Sequence, residues 1–260
     1  MGDFLDVLAR DSKATCESGY YRDESIQGAR HEKFSLRGGI IKCKKNALIS
    51  EIKRSSPSKG IIRKDLDVAS VASAMERGGA AGISVLTEPM HFKGSLRDLM
   101  LVRESVSIPI LMKDLIVDRS QVDAASRIGA DAVLLIKGIF ERDYADRSLE
   151  GMIDYVHSKK MEVLLEVHSK DEFRSAIGLK VDLVGINNRN LKTLGVDINT
   201  TEEILRKRKI DNFIVVSESG IESQADVCFL RGAGARAFLV GTSVMSADNV
   251  EEKVRELVEA

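Results

Sequence analysis

Charged side chains close three apolar, strand-like segments, and their types suit acid–base chemistry. Lys53 follows Ala47–Ile52, Lys113 follows Pro109–Met112, and Glu166 follows Val163–Leu165. A charge at the end of a buried strand costs free energy unless it is paired with another group or serves in binding or catalysis. In a βα-barrel this end of each strand forms the catalytic face. The three residues therefore predict an enzyme site that contains cations and a carboxylate.

The first of these segments contains a second charged residue, Glu51, two positions before Lys53. Side chains alternate across a strand, so Glu51 and Lys53 share one face. On the inside of a barrel they would form an acid and a base side by side at the rim. The alternative is an ion pair on an exposed edge strand. The polar loop Ser55–Gly60 that follows is either a lid that closes on substrate or a plain flexible loop.

The other two segments offer candidates for proton transfer. Lys113 could donate a proton, form a Schiff base or bind an anion, and the sequence does not choose among these roles. Glu166 is the better candidate for acid–base work because it lies deeper in its apolar segment than His168. Burial is expected to raise the Glu166 pKa. His168 is more readily explained as a structural histidine.

Polar residues after three later segments suit anionic groups. Asn187 and Arg189 share a face and could bind a carboxylate or hydroxyl, although an asparagine-rich turn is the alternative. Glycine with hydroxyl residues after strands seven and eight of a barrel is the usual phosphate site, and simple helix capping is the alternative. The residues in question are Ser219, Gly220, Gly241 and Thr242.

A repeating unit positions these residues. Apolar runs alternate with helical segments, which predicts an α/β fold, a (β/α)₈ TIM barrel. A doubly wound open sheet would usually carry a GxGxxG turn after its first strand, where this chain has Lys53–Gly60. Glycines such as Gly232 are expected to end the helices. The predicted strands are Ala47–Ile52, Gly82–Leu86, Pro109–Met112, Ala132–Ile136, Val163–Val167, Leu183–Ile186, Phe213–Val216 and Ala237–Val240.

The segment ahead of the first strand differs from the rest. Residues 1–45 are expected to form an N-terminal helical extension packed on the barrel, and residues 46–260 a single barrel domain. Phe4, Leu5, Val7 and Leu8 can form one apolar stripe of a short helix. The alternative for this segment is a solvated tail.

Composition narrows the class of protein. The 260 residues carry a net charge of −1 and no Trp, which argues against nucleic-acid and membrane partners. The three cysteines are far apart, so a zinc site or a disulfide framework is not expected. No cofactor is expected. We expect a cytoplasmic monomer that acts on a small phosphorylated molecule.

With these residues assembled, the chain closely resembles the indole-3-glycerol phosphate synthase family. The resemblance covers residues from about 45 to 245, in order. The matching stretches are Ile49–Gly60, Val85–Glu88, Phe92–Ser95, Pro109–Asp114, Gly129–Ile136, Leu165–His168, Gly185–Leu191, Val216–Ile221 and Leu239–Gly241. The chain departs from the family at Met112, where Arg is frequent, and at Leu115, where Phe is frequent and its absence could weaken binding of the aromatic ring.

The resemblance implies a reaction and a role for each site residue. The substrate would be 1-(2-carboxyphenylamino)-1-deoxyribulose 5-phosphate, whose ring carbon attacks the ketone before CO₂ and water leave. Lys113 would be the general acid of ring closure and Glu166 the acid–base partner in dehydration. Lys53, beside Glu51, would bind the substrate carboxylate. The remaining residues implied are Asn187 and Glu218 in the catalytic pocket, and Arg189, Ser55, Phe92, Ser219, Gly220, Gly241 and Thr242 in substrate or phosphate binding.

Two other functions remain open at this point. Another phosphosugar barrel, such as an isomerase, would carry the same phosphate loops but would not need Lys113 and the Glu51/Lys53 pair. A non-catalytic barrel could bind a phosphorylated ligand, but it would not need Glu166 opposite Lys113.

Overall fold

Eight parallel strands close into a barrel in the computed structural model of the chain, which describes residues 3–28, 32–56, 60–63, 65–206 and 213–260. Each strand pairs with its neighbours in chain order, and β1 pairs with both β2 and β8. The predicted (β/α)₈ barrel is confirmed. The strands are β1 Ala47–Ile52, β2 Gly82–Leu86, β3 Ile110–Lys113, β4 Ala132–Ile136, β5 Glu162–Val167, β6 Leu183–Asn187, β7 Val215–Glu218 and β8 Ala237–Val240.

Helices pack around the barrel; the first two precede β1, and the others follow the strands. They are α1 Phe4–Glu17, α2 Leu36–Lys42, α3 Val68–Arg77, α4 Leu96–Ser105, α5 Arg119–Ile128, α6 Lys137–Glu141, α7 Leu149–Ser158, α8 Lys170–Ala176, α9 Asn199–Leu205, α10 Gln224–Ala233, α11 Thr242–Met245 and α12 Val250–Val258. Every residue of β1, β2 and β4 is buried, because helices lie on one side of the strands and the packed barrel interior on the other.

Helix ends follow the local chemistry of the sequence. Asp118 accepts a hydrogen bond from the Ser120 amide at the start of α5, and Gly129 ends that helix at a φ of 109°. The expectation that Gly232 ends α10 is wrong, because Gly232 lies inside the helix and Gly234 takes the left-handed conformation, with a φ of 111°.

The N-terminal segment packs one face of α1 on the barrel. Leu5, Leu8 and Ala9 are buried at helical spacing, whereas Val7 is 41% exposed. The expected stripe was therefore wrong for Val7, which the helical period turns to the other side. Arg142 fixes the start of α1 through ion pairs of 2.6 and 2.7 Å to Asp3 and Asp6.

The loop after β1 is only partly described. Ser55–Ser56 pairs antiparallel with Gly60–Ile61. The predicted lid over Ser55–Gly60 includes Pro57–Lys59, which lie outside the described residues.

Candidate active site

A cavity of about 610 Å³ opens at the carboxyl ends of the barrel strands. The predicted residues that line it are Glu51, Lys53, Phe92, Lys113, Glu166, Asn187, Arg189, Glu218, Ser219, Gly220, Gly241 and Thr242. Ser55 lies outside the described lining, and its hydroxyl donates a hydrogen bond of 3.0 Å to the Gly60 carbonyl. The barrel thus gathers into one wall residues that are up to 191 positions apart, from Glu51 to Thr242.

A buried carboxylate bridges two lysines in this wall. The Glu51 Oε1 atom lies 2.7 Å from Lys53 Nζ, and its Oε2 atom lies 3.7 Å from Lys113 Nζ. The predicted shared face of Glu51 and Lys53 is confirmed. Burial alone would raise the pKa of Glu51, but the charges of Lys53 and Lys113 outweigh it and hold the pKa below its usual value.

Lys113 is an ammonium in a largely enclosed site. Burial alone would lower its pKa, but the negative charge of Glu51, and after it that of Glu166, raises it. The side chain is 18% exposed, so its charge acts where water is mostly excluded. A protonated amine at this place could donate a proton to, or stabilise negative charge on, a bound oxygen.

Glu166 has a histidine beside it. The His168 Nε2 atom lies 3.1 Å from Glu166 Oε1. Burial favours a raised Glu166 pKa, as expected from the sequence, but the contact with His168 and the charge of Lys113 outweigh burial and lower the pKa. The expectation of a raised pKa was therefore wrong, because the sequence does not reveal the imidazole's contact.

Glu218 lies across the cavity wall on β7, and its pKa is shifted in the direction opposite to that of Glu166. Burial and the charge of Glu166 raise its pKa well above the usual value. Two neighbouring buried carboxylates cannot both ionise cheaply, so one of them keeps a proton. Gly185 on β6 makes room for this group, because a Cβ atom there would collide with the Glu218 carboxylate.

The loop after β6 forms the predicted asparagine turn and also brings both predicted side chains to the cavity. Asn187 Oδ1 accepts a hydrogen bond of 3.0 Å from the Arg189 amide, which is the Asx turn. Both side chains nevertheless line the cavity. The Arg189 Nη1 atom donates to the Leu194 carbonyl at 2.8 Å, which fixes the guanidinium at the rim.

The loops after β7 and β8 meet at one side of the cavity. Ser219 and Gly220 are both left-handed, with φ values of 69° and 82°. Simple helix capping does not explain the hydroxyl residues, because Ser223 caps α10 and Gly241 is the N-cap residue of α11. Gly241 has a further reason to be glycine, since a Cβ atom there would collide with the Glu51 carboxylate.

Sequence reasoning did not identify the residues that hold the site loops in place. The Glu88 carboxylate accepts hydrogen bonds of 2.7–3.0 Å from three successive amides, the last of them that of Phe92 in the cavity wall. The Asn188 Nδ2 atom donates to Ser217 Oγ at 3.1 Å and to the Ser219 carbonyl at 3.0 Å. For Glu88 and for Asn188, the one available signal in the sequence was a polar residue at the end of a strand, within a stretch that matches the family.

The N-terminal segment also reaches the site. Phe4, Leu5 and Leu8 line the cavity. The hydroxyl of Tyr21 donates to the buried Asp114 carboxylate, at 3.0 and 2.9 Å to its two oxygens. Burial raises the pKa of Asp114 to about 6. Asp114 directly follows Lys113, so this contact couples the extension to the end of β3.

Tyr21→Phe is expected to lower the free energy of unfolding by roughly 1.5–3 kcal/mol near pH 8, because it removes a hydrogen bond to a buried carboxylate. Denaturant titration measures the change. Tyr155→Phe is the matched control, since its hydroxyl donates at 2.8 Å to the partly exposed Asp123. The free energy of unfolding is expected to fall less in this control than in Tyr21→Phe. An equal or smaller loss in Tyr21→Phe would show that this contact does not hold the extension.

The described parts of the chain contain no group of three or more His, Cys, Asp or Glu side chains arranged to hold a metal ion. In the same ranges, no helix is both long and apolar enough to cross a bilayer.

Two solved structures that share the fold are distant in sequence. A thiamine phosphate pyrophosphorylase from Pyrococcus furiosus superposes with a TM-score of 0.57 at 19% identity, covering 86% of this chain and 96% of that one. An N-acetylmannosamine-6-phosphate 2-epimerase from Clostridium perfringens gives 0.59 at 16% identity, covering 83% and 93%. These likenesses support the fold alone.

Sequence relatives are closer and cover nearly the whole chain. The chain is 44% identical over 240 residues to an indole-3-glycerol phosphate synthase of Methanocaldococcus jannaschii, covering 90% of this chain and 86% of the relative. It is 39% identical over 256 residues to one of Koribacter versatilis, covering 98% and 96%. The family model for indole-3-glycerol phosphate synthase matches residues 6–257. The chain therefore belongs to the indole-3-glycerol phosphate synthase family.

Proposed function

We propose that the protein converts 1-(2-carboxyphenylamino)-1-deoxyribulose 5-phosphate to indole-3-glycerol phosphate, as a decarboxylating lyase of tryptophan biosynthesis. The observation that carries the proposal is the Glu51 carboxylate held between Lys53 and Lys113 at the mouth of the barrel. Together with Arg189, the two lysines provide positive charge for a substrate that carries a carboxylate and a phosphate.

Lys113 is the general acid of ring closure. As the ring carbon attacks the ketone carbon, negative charge grows on the ketone oxygen, which becomes a hydroxyl. An ammonium at that oxygen stabilises the transition state more than the ground state. The raised pKa of Lys113 supports this role, because it keeps the amine protonated at neutral pH.

Lys53 holds the substrate carboxylate until it leaves as CO₂. Its ion pair with Glu51 fixes the ammonium in the wall, at 2.7 Å. The loss of CO₂ returns electrons to the ring and restores its aromatic character. Glu166 then acts in proton transfer as the new hydroxyl leaves as water, with Asn187 and Glu218 beside it in the same wall.

The aromatic ring of the substrate binds among apolar side chains. Phe92, Leu115 and Leu8 line this part of the cavity. Leu115 supplies apolar area where an aromatic residue is frequent in the family, so ring binding rests on Phe92 and on the N-terminal segment.

Phosphate binds at the loops after β7 and β8, formed by Ser219 and Gly220 on one side and by Gly241 and Thr242 on the other. Backbone amides at such a place bind phosphate without needing a charged side chain. The two left-handed residues support this location, because that conformation turns successive amides towards one point.

Gly220→Ala is expected to raise KM roughly tenfold while kcat changes little. Its φ of 82° costs alanine about 1–2 kcal/mol, and the new Cβ would lie 2.6 Å from Val196 Cγ1. Steady-state kinetics measures the effect. Gly232→Ala in α10 is the control, because its Cβ would meet no described atom within 4 Å. An unchanged KM in Gly220→Ala would place the phosphate elsewhere.

Residues 1–45 form the extension that closes the ring pocket, and residues 46–260 form the barrel domain. The protein works as a monomer in the cytoplasm. Its reaction needs no metal or organic cofactor, because each step proceeds by acid–base and electrostatic catalysis.

Steady-state fluorescence tests the proposal. The indole product is fluorescent, so incubation of the protein with the synthetic carboxyphenylamino substrate is expected to give a signal that grows with time. Substrate that binds and is recovered unchanged would favour a non-catalytic barrel. Conversion to a phosphorylated product without an indole chromophore would favour an isomerase.

A further inference from the structure

His168 lies directly behind Glu166, and the proposed reaction gives it no role. It follows β5, and both sides of its ring face a carboxylate. The Nε2 atom lies 3.1 Å from Glu166 Oε1, and the Nδ1 atom lies 3.8 Å from Glu172 Oε2. The backbone amide of His168 also donates to Glu172 at 2.8 Å. His168 itself lies outside the described lining of the cavity.

The imidazole is charged in this position. Burial alone would lower its pKa, but the contacts with Glu166 and Glu172 raise the pKa to about 10. An imidazolium between two carboxylates forms a short row of alternating charge. The row runs from the cavity wall, where the Glu166 side chain is 2% exposed, to Glu172, which is 21% exposed.

We propose that His168 is a positioning residue, held in place by Glu172, which fixes Glu166 as a charged carboxylate in the cavity wall and so makes Glu166 the proton acceptor of the dehydration step. The proposal rests on the proposed function. In that step, the carbon beside the ring nitrogen gives its proton to Glu166. The hydroxyl on the adjacent carbon leaves as water with a proton from Lys53 or Glu218.

The position of His168 also decides which of two carboxylates carries the charge. Glu166 and Glu218 share the wall and repel each other when both are ionised. The imidazolium stands on the Glu166 side, at 3.1 Å. The Glu218 Oε1 and Glu166 Oε2 atoms are both buried without a hydrogen-bond partner among the described residues, so the nearby imidazolium is what distinguishes the two carboxylates. Charge therefore rests on Glu166, and the proton rests on Glu218.

Other charged groups face this row from the neighbouring elements. Glu172 on α8 contacts His168 directly, and Lys137 on α6 lowers the Glu172 pKa. Lys113 on β3 stabilises the Glu166 charge. The Glu51 carboxylate on β1 opposes the Glu166 charge, and Glu218 on β7 opposes it whenever Glu218 loses its proton. When His168 is removed, Lys113 remains as the cation that lowers the Glu166 pKa. Burial and Glu218 then have a larger effect and raise that pKa.

The test is the pH dependence of His168→Asn. Without the imidazolium, the Glu166 pKa is expected to rise by roughly 1–3 units, the usual effect of an opposite charge at this distance. The acidic limb of the kcat profile therefore moves upward by a similar amount. The loss of kcat is larger at about pH 4.5 than at about pH 8, because the Glu166 pKa rises from about 2 towards that range, and KM stays close to that of the unchanged protein. A loss of equal size at both pH values would overturn the proposal.

His157→Asn is the matched control. His157 also pairs with a carboxylate, Asp182, at 2.9 Å, and Asp182 accepts from Val163 near the other end of β5. This variant is expected to leave the kcat profile in place. An upward shift as large as that of His168→Asn would show that the effect comes from loosening β5 and not from the charge beside Glu166.

A second readout does not depend on turnover. The carboxyl carbon of Glu166, assigned by Glu166→Gln, is followed by ¹³C NMR during an acid titration. Its titration is expected to move upward in His168→Asn, and an unmoved titration overturns the proposal even if the unchanged protein forms no indole product. If His168→Asn does not fold, Glu172→Gln is expected to give a smaller shift in the same direction, and the absence of any shift overturns the proposal.

Discussion

Lys113→Met is expected to abolish turnover while the substrate still binds. The side chain keeps its approximate length and loses its charge, so the ketone oxygen has neither a proton donor nor a cation when ring closure occurs. A lost acid–base group costs about 10²–10⁴-fold, and a lost electrostatic contact about 10²–10³-fold. We therefore expect a fall in kcat of at least roughly 10³-fold. Affinity falls modestly, because Lys53 and the phosphate loops still hold both anionic groups.

Single-turnover kinetics with a direct binding measurement separates the two effects. Lys137→Met is the matched control, because Lys137 is a buried lysine that follows β4 and pairs with Glu141 at 2.5 Å, outside the described cavity lining. It is expected to retain turnover. Lys53→Met is expected to weaken binding as well as rate. If Lys113→Met kept its turnover and lost affinity, Lys113 would be an anion-binding residue and the acid would have to be sought at Lys53.

Glu166→Gln is expected to lower kcat by roughly 10²-fold or more, because glutamine keeps the shape of the side chain and cannot take up a proton. The low pKa of Glu166, set by His168 against the effect of burial, predicts that the unchanged protein keeps this carboxylate ionised as the pH falls below neutral. The base is therefore available at neutral pH and is lost only under acid conditions.

The control for this variant lies on the same strand. Glu162 begins β5, at the end opposite Glu166, and accepts a hydrogen bond of 2.8 Å from the Arg37 amide. Glu162→Gln is expected to change stability and to leave kcat intact. Near-normal turnover in Glu166→Gln would assign Glu166 a structural role.

The strands could be predicted from the sequence where apolar residues fill them. The bounds of β1, β2, β4 and β8 match the prediction. The prediction for β7 began at Phe213 and ended at Val216, whereas the strand runs from Val215 to Glu218. The pairing of Glu218 with Asn187 and Leu239 explains the shift, because backbone ladders continue through polar residues at the mouth of the barrel. β3 likewise ends on Lys113 and not before it.

Several helices gave too weak a signal. α2 contains Gly38 and Gly39, which are poor helix formers, and its start depends on a cap from Ser35. α6 and α11 have five and four residues, too few for an apolar period to stand out. Tertiary contacts form these turns, and the sequence pattern does not contain those contacts.

The site was predictable where it depends on one strand. Alternation along β1 predicts that Glu51 and Lys53 meet. The 3.7 Å approach of Glu51 to Lys113 joins two strands and follows from barrel closure, which motif order alone does not measure. The Glu166 pKa depends on His168, which Glu172 on α8 holds in place. Burial alone therefore predicts the wrong direction for the shift of this pKa.

The most direct test of the proposed reaction is its stoichiometry in a single turnover. The protein is mixed in excess over the carboxyphenylamino substrate, and released CO₂ and indole fluorescence are followed together. We predict one CO₂ and one indole-3-glycerol phosphate for each substrate molecule, with no metal or cofactor added. A phosphorylated product formed without CO₂, or substrate that stays bound and unchanged, would contradict the proposed function.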